Sequence, residues 1–215
     1  MRTFALAGLA PLLLALGCAP DSVEEPLSLM SAVTITAPGG VGESSVSLRA
    51  VNDLFDRAAD VRLPIAALDF AARVDASGFA IDRLVFDIGD LDVPAAGMPP
   101  EGLHLRDVAL TMLPVAGDPY GAGNMYVRTA DRLEFAARLP FQIDWKLQVA
   151  QGQLYELGPA VMAPLGAVLR ITFVDGAARL KVVATCTELC WELPGLVAFE
   201  HGAIIVDAPL VLDAQ

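Results

Sequence analysis

The sequence predicts a mainly β fold, an antiparallel long-stranded sandwich, half-barrel or groove, and three observations carry that prediction. In residues 133–149, LEFAARLPFQIDWKLQV, every odd position is apolar and the positions between are mostly polar, the period of a half-buried strand. Shorter alternating runs recur from residue 32 to residue 212, separated by Gly-rich or Asp-Gly segments. The chain is 55% apolar with a mean hydropathy of +0.55, yet it has no run of 18 apolar residues, so the excess belongs inside strand-built layers rather than in a membrane helix.

Taken in order, residues 32–37 (AVTITA) open the β pattern, 38–42 make a Gly-rich turn, and 45–51 (SVSLRAV) form a second strand. Residues 52–60 (NDLFDRAAD) predict a turn or two of helix, with Leu54, Phe55 and Ala58 on one side. Residues 68–76 place Leu68, Phe70, Ala72, Val74 and Ala76 on one strand face. In 103–113 the apolar face passes from Leu103 and Leu105 to Val108, Leu110 and Met112, a change of phase that predicts a bulge. Residues 114–124 (PVAGDPYGAGN) read as a long loop that includes Tyr120. Residues 133–149 read as one long strand, bent or at an edge at Pro140, which falls on the polar face. The runs 167–174 and 179–186 flank Asp175-Gly176, a strong hairpin signal, and 203–212 (AIIVDAPLVL) close the pattern.

Two echoes suggest internal repetition. LDFAARV at 68–74 returns as LEFAARL at 133–139, and MPPEGLHLR at 98–106 aligns with MAPLGAVLR at 162–170 in the same order. The spacing predicts two tandem β repeats of about 64 residues, 66–128 and 131–193, within a single β-rich domain at 29–215. Chance likeness between Ala- and Leu-rich strands is the competing explanation.

Residues 1–17 have one positive charge, Arg2, then an apolar core too short to span a bilayer, and Ala15-Leu16-Gly17 precedes Cys18. This leader resembles that of bacterial lipoprotein precursors, in which small residues precede a cysteine that becomes the lipidated N-terminus. The resemblance implies a signal peptide at 1–17 and lipidation at Cys18. Because Ala19 rather than Asp follows, it also implies an outer-membrane, periplasm-facing anchor, with surface exposure as a variant. An ordinary secretory signal that happens to contain Cys18 is the alternative. Residues 18–28 are polar, acidic and Pro-punctuated, as a tether would be. The net charge is −12 before Arg2 is lost, which disfavours nucleic acid or anionic headgroups as partners.

Cys186 and Cys190 form a C-x3-C pair, for which a disulfide is expected in an oxidising compartment, ahead of reduced thiols or a metal. No catalytic motif is present: GGVGESS at 39–45 lacks the lysine of a phosphate loop, and His104 and His201 lie far apart in unlike contexts. Asp87, Asp90 and Asp92 lack the ordered register of a calcium loop. No enzyme activity, metal or cofactor is therefore expected.

The long amphipathic strands, the echoes and phrases such as GLHLRDVALTM resemble AsmA-like and related β-groove proteins, which handle lipids in the bacterial envelope. The resemblance implies binding or shuttling of a lipid or other apolar ligand. Phe135, Leu139, Phe141, Ile143, Trp145, Leu147, Leu169, Ile171 and Phe173 are the residues expected to line its β-walled interior. The alternative is a structural or protein-interaction sandwich of the envelope, with a filled core and recognition by surface loops and a partner protein.

Overall fold

The computed structural model describes residues 33–37, 41, 43–75, 78–95, 97, 101–113, 125–129, 131–149, 152–156, 159–174 and 177–214. Cys18, the leader and the tether lie outside these residues, as do 114–124 with Tyr120, and the Gly-rich and Asp-Gly turns lie outside them wholly or in part. Every paired strand is antiparallel, and the strands make two sheets packed as a sandwich, without closing into a barrel.

Fifteen strands are described: β1 (Val33–Thr36), β2 (Ser45–Asn52), β3 (Arg57–Pro64), β4 (Ala67–Asp75), β5 (Gly78–Val93), β6 (Leu103–Met112), β7 (Met125–Arg128), β8 (Arg132–Leu139), β9 (Phe141–Gln148), β10 (Leu154–Glu156), β11 (Ala160–Val161), β12 (Leu165–Val174), β13 (Ala177–Thr185), β14 (Leu189–Leu193) and β15 (Val197–Ala214). One sheet runs β9-β6-β5-β4-β1, with β10 and β11 both on the free edge of β9. The other runs β7-β8-β12-β13-β15, extended by β2 and β3, and β14 also pairs with β15. The strand β15 joins them, because Val211 to Ala214 pair with β1 while earlier residues pair with β13, β2 and β14.

The alternation at 133–149 is real, but the single long strand is not. Pro140 separates β8 from β9 and sends them to different sheets, β8 beside β12 and β9 beside β6. A proline has no N–H for the ladder, so a strand corner is a place where it costs little. Its carbonyl accepts the Leu113 N–H at 2.9 Å. The in-out parity survives the corner: Leu133, Leu139, Phe141, Ile143 and Trp145 are all buried in one continuous apolar cluster. That cluster draws its buried side chains from both sheets, with Phe70, Phe86, Phe141 and Phe199 among the largest.

The helix expected at 52–60 is instead the turn and second strand of a hairpin. Asn52 holds the turn in two directions, its Oδ1 accepting the Phe55 N–H at 3.2 Å and its Nδ2 donating to the Leu196 carbonyl at 2.8 Å. Asp56 takes a left-handed φ of 49°, and β2 and β3 then pair residue for residue. Leu54 and Phe55, whose spacing imitated a helix face, are exposed at the tip.

The bulge expected in 103–113 is present. The register of β6 shifts between Arg106 and Ala109 against β9, and Asp107 has a φ of 53°. Val174 stands opposite Ala177, so only two residues, 175–176, connect β12 to β13. The echoed segments have different neighbours. LDFAARV lies on β4 between β1 and β5, and LEFAARL lies on β8 between β7 and β12. β6 is separated from β4 by β5, whereas β12 pairs directly with β8.

Candidate functional site

The nine residues expected to line an interior do not form one surface. Leu139, Phe141, Leu169 and Ile171 are almost wholly buried against neighbouring side chains of the core. Leu147 and Phe173 are partly buried and pack on its margin. The side chain of Phe135 lies outside the described residues; its backbone pairs with Leu169 and Tyr126. Ile143 borders a cavity between the sheets, and Trp145 touches Trp191, which borders it too.

That cavity, partly open and about 50 Å³ in volume, lies between the sheets. Ile88 and Leu91 of β5, Val108 and Leu110 of β6, and Ile143 of β9 form one wall; Val46 of β2, Ala184 of β13, Trp191 of β14, and Phe199 and Ile204 of β15 form the other. The walls are apolar because successive strands each turn their inward-facing positions to the same space. A cavity of about 150 Å³ holds a benzene ring, so this one encloses a group of about two heavy atoms.

Three aromatic rings close one side. Trp191 stacks on Phe199 with centroids 4.6 Å apart and planes 3° apart, and meets Trp145 edge-on at 5.0 Å. Trp145 comes from β9 and Trp191 from β14, so this contact ties the two sheets together. Both indoles are 7% exposed, and neither Nε1 has a hydrogen-bond partner among the described residues.

The disulfide, next to Trp191 in the chain, borders the same cavity. Cys186 and Cys190 are joined, with Cα atoms 5.6 Å apart, a spacing ordinary for such a bridge. Both sulfur-bearing residues border the cavity, together with Gly202. Here β15 bulges: its register against β2 shifts between Glu200 and Ala203, and His201 has a φ of 48°. The displaced backbone bonds to the disulfide loop, His201 N–H donating to the Glu188 carbonyl at 3.1 Å and Cys186 N–H to the Gly202 carbonyl at 2.9 Å. A Cβ at Gly202 would sit 3.1 Å from the Cys190 Sγ, so glycine lets the strand approach the bridge closely. Ser47 and Leu48, opposite this bulge, border both the cavity and an outer cleft of about 360 Å³ that also contains Arg49, Arg62 and His201.

Charged groups stay on the outer faces. Asp92 receives His104 Nδ1 and Arg106 Nη1, each at 2.7 Å, and Arg106 also lies 3.6 Å from Asp90. Burial pushes the Asp92 carboxyl up, but its bonds to His104 and Arg106 outweigh this and hold it below the usual carboxylate range. The bond to Asp107 raises the Lys146 ammonium, and the bond from Arg170 lowers the Glu134 carboxyl. Among the described residues, no three His, Cys, Asp or Glu side chains come together as metal ligands.

Trp191, Phe199 and Gly202 are among the site residues that the sequence did not single out. The available signal was thin: Trp191 follows the second cysteine directly, and the chain has only two tryptophans. No family model, no curated protein and no solved structure matches this chain.

Proposed function

We propose that this protein is a non-enzymatic binder of a lipid or other apolar ligand, held at the bacterial outer membrane through a lipid on Cys18 and facing the periplasm. The observation that supports the binding reading is the apolar cavity between Ile143, Trp191 and Phe199. Its size means that it grips a small part of the ligand, of about two heavy atoms, with the remainder outside. The anchor rests on the leader and on Cys18 alone.

The test is purification without detergent followed by solvent extraction and mass spectrometry, with Ala184→Leu as the control that fills the cavity from β13. Recovery of an apolar compound from the wild type, reduced several-fold in the variant, supports the reading. Equal recovery from both, or none from either, contradicts it.

A second reading, a protein-interaction module of the envelope, is favoured by one surface feature. Val168, Val183 and Ile205 are 41%, 47% and 46% exposed and stand side by side on β12, β13 and β15, an apolar row across the outer face. A partner covering this row would lose affinity on Val183→Lys, while the cavity and its ligand would be unaffected.

A further inference from the structure

The cavity between the sheets is walled by hydrocarbon and sulfur, and that chemistry restricts what it can hold. Ile88, Val108, Ile143 and Phe199 turn apolar side chains to it, beside Met162 and the two bridged cysteines. Among the described residues, no charged side chain borders it. Ser47 supplies a hydroxyl to the lining, but it follows the inward-turned Val46 on β2, so its side chain projects toward the outer cleft. The Nε1 of Trp191 is buried against protein and does not open on the space. A polar group placed there would lose its water partners and find none in the walls.

Volume narrows the choice further. A benzene ring takes a cavity of about 150 Å³. This one measures about 50 Å³, so rings and bulky branched groups stay out. A mid-chain segment needs two exits and brings its neighbouring methylenes with it, whereas a chain end needs one opening and finishes in one or two carbons. Resting on the apolar-ligand reading above, we infer that the cavity takes the methyl end of an unbranched hydrocarbon chain, and hence that the ligand is a linear amphiphile whose polar group stays outside the sandwich. Fused-ring lipids are excluded by size, and chains that end in a polar group are excluded by desolvation. The end of the chain, not its polar head, sets selectivity at this site.

The probes are n-hexanol, α,ω-hexanediol and cyclohexanol, which have equal carbon number and differ in whether a slim methyl end is present. Their binding is followed by the methyl signals of Ile88 and Ile143 on the walls, with Ile171, buried elsewhere in the core, as the reference. n-Hexanol should shift Ile88 and Ile143 saturably, and its methyl protons, not those beside its hydroxyl, should give nuclear Overhauser contacts to them. The diol and cyclohexanol should each bind more weakly by about 10-fold or more, because one brings a hydroxyl that the walls cannot pair and the other does not fit. Ala184→Leu, which fills the space from β13, should remove the n-hexanol advantage. Should that variant fail to fold, the wild-type titrations and Overhauser contacts decide. Equal binding of the diol or of cyclohexanol, or contacts from the hydroxyl end, would overturn the chain-end inference and leave the apolar-ligand reading standing. If no probe shifts Ile88 or Ile143, or if the n-hexanol advantage persists in folded Ala184→Leu, the cavity is not the ligand site and both readings fall.

Discussion

Two neighbouring parts of this interior, one around Phe86 and Phe141 and one around Trp191, are built from the same kinds of residue and packed to different degrees. Near the Pro140 corner, Phe86 and Phe141 meet with centroids 5.7 Å apart, and both are fully buried. Near the disulfide, two indoles, Trp145 and Trp191, join Phe199, yet a cavity remains beside them and neither indole nitrogen has a partner among the described residues. The difference is in the backbone. At the corner Leu139 pairs with Leu165 and Phe141 with Met112, so side chains from both sheets meet there. Beside the cavity β15 bulges at His201 and Gly202 where it meets the Cys186–Cys190 loop, and the ladder is irregular. Irregular backbone accompanies space that side-chain size alone does not fill.

The largest effect should come from the filled end. Phe141→Ala should cost about 3–5 kcal/mol of stability in urea unfolding, because neighbours packed on all sides collapse only in part. A loss below about 1 kcal/mol would mean that this end is as loose as the other. Removing the bridge with Cys186→Ala and Cys190→Ala should cost about 2 kcal/mol, the chain-entropy value for so short a loop, and should alter ligand binding because both residues border the cavity.

At the loosely packed end, Trp191→Phe should change stability by less than about 1 kcal/mol in either direction, since losing ring area is offset by removing an unpaired buried N–H. A loss comparable to that of Phe141→Ala would erase the contrast between the ends.

The smallest effect should lie outside the core altogether. The hydrogen bond from Arg170, at 2.9 Å, lowers the Glu134 carboxyl below its ordinary value. A depressed folded-state value gives stability that is present above the unfolded carboxyl pKa and is lost as pH falls through the folded one. Glu134→Gln should therefore leave core packing intact and slightly flatten the fall in Tm between neutral pH and pH about 3. An equal change at both pH values would show that the pair is not responsible.

Much of this was legible in the sequence because strand periodicity is local. The alternation from Leu133 to Val149 announced one inward-turned apolar face, and the phase change between Leu105 and Val108 announced the bulge at Asp107. The corner at Pro140 was not legible as a change of sheet, because Leu139 and Phe141 keep the same parity whether the strand continues or turns. Residues 52–60 misled because Leu54, Phe55 and Ala58 have helical spacing, whereas the Asn52 bonds that make the turn depend on Leu196, far along the chain. The candidate site was legible through Ile143, Trp145 and the Cys186–Cys190 pair. Its remaining walls come from strands whose adjacency is set by long-range pairing, and local pattern carries no record of that.

Crystals under xenon pressure would test the contrast most directly, because xenon enters apolar space without requiring hydrogen bonds. The account predicts one strong xenon site bounded by Ile143, Trp191 and Phe199, and none beside Phe86 and Phe141. Xenon at the Phe86 end, or no xenon beside Trp191, would contradict it.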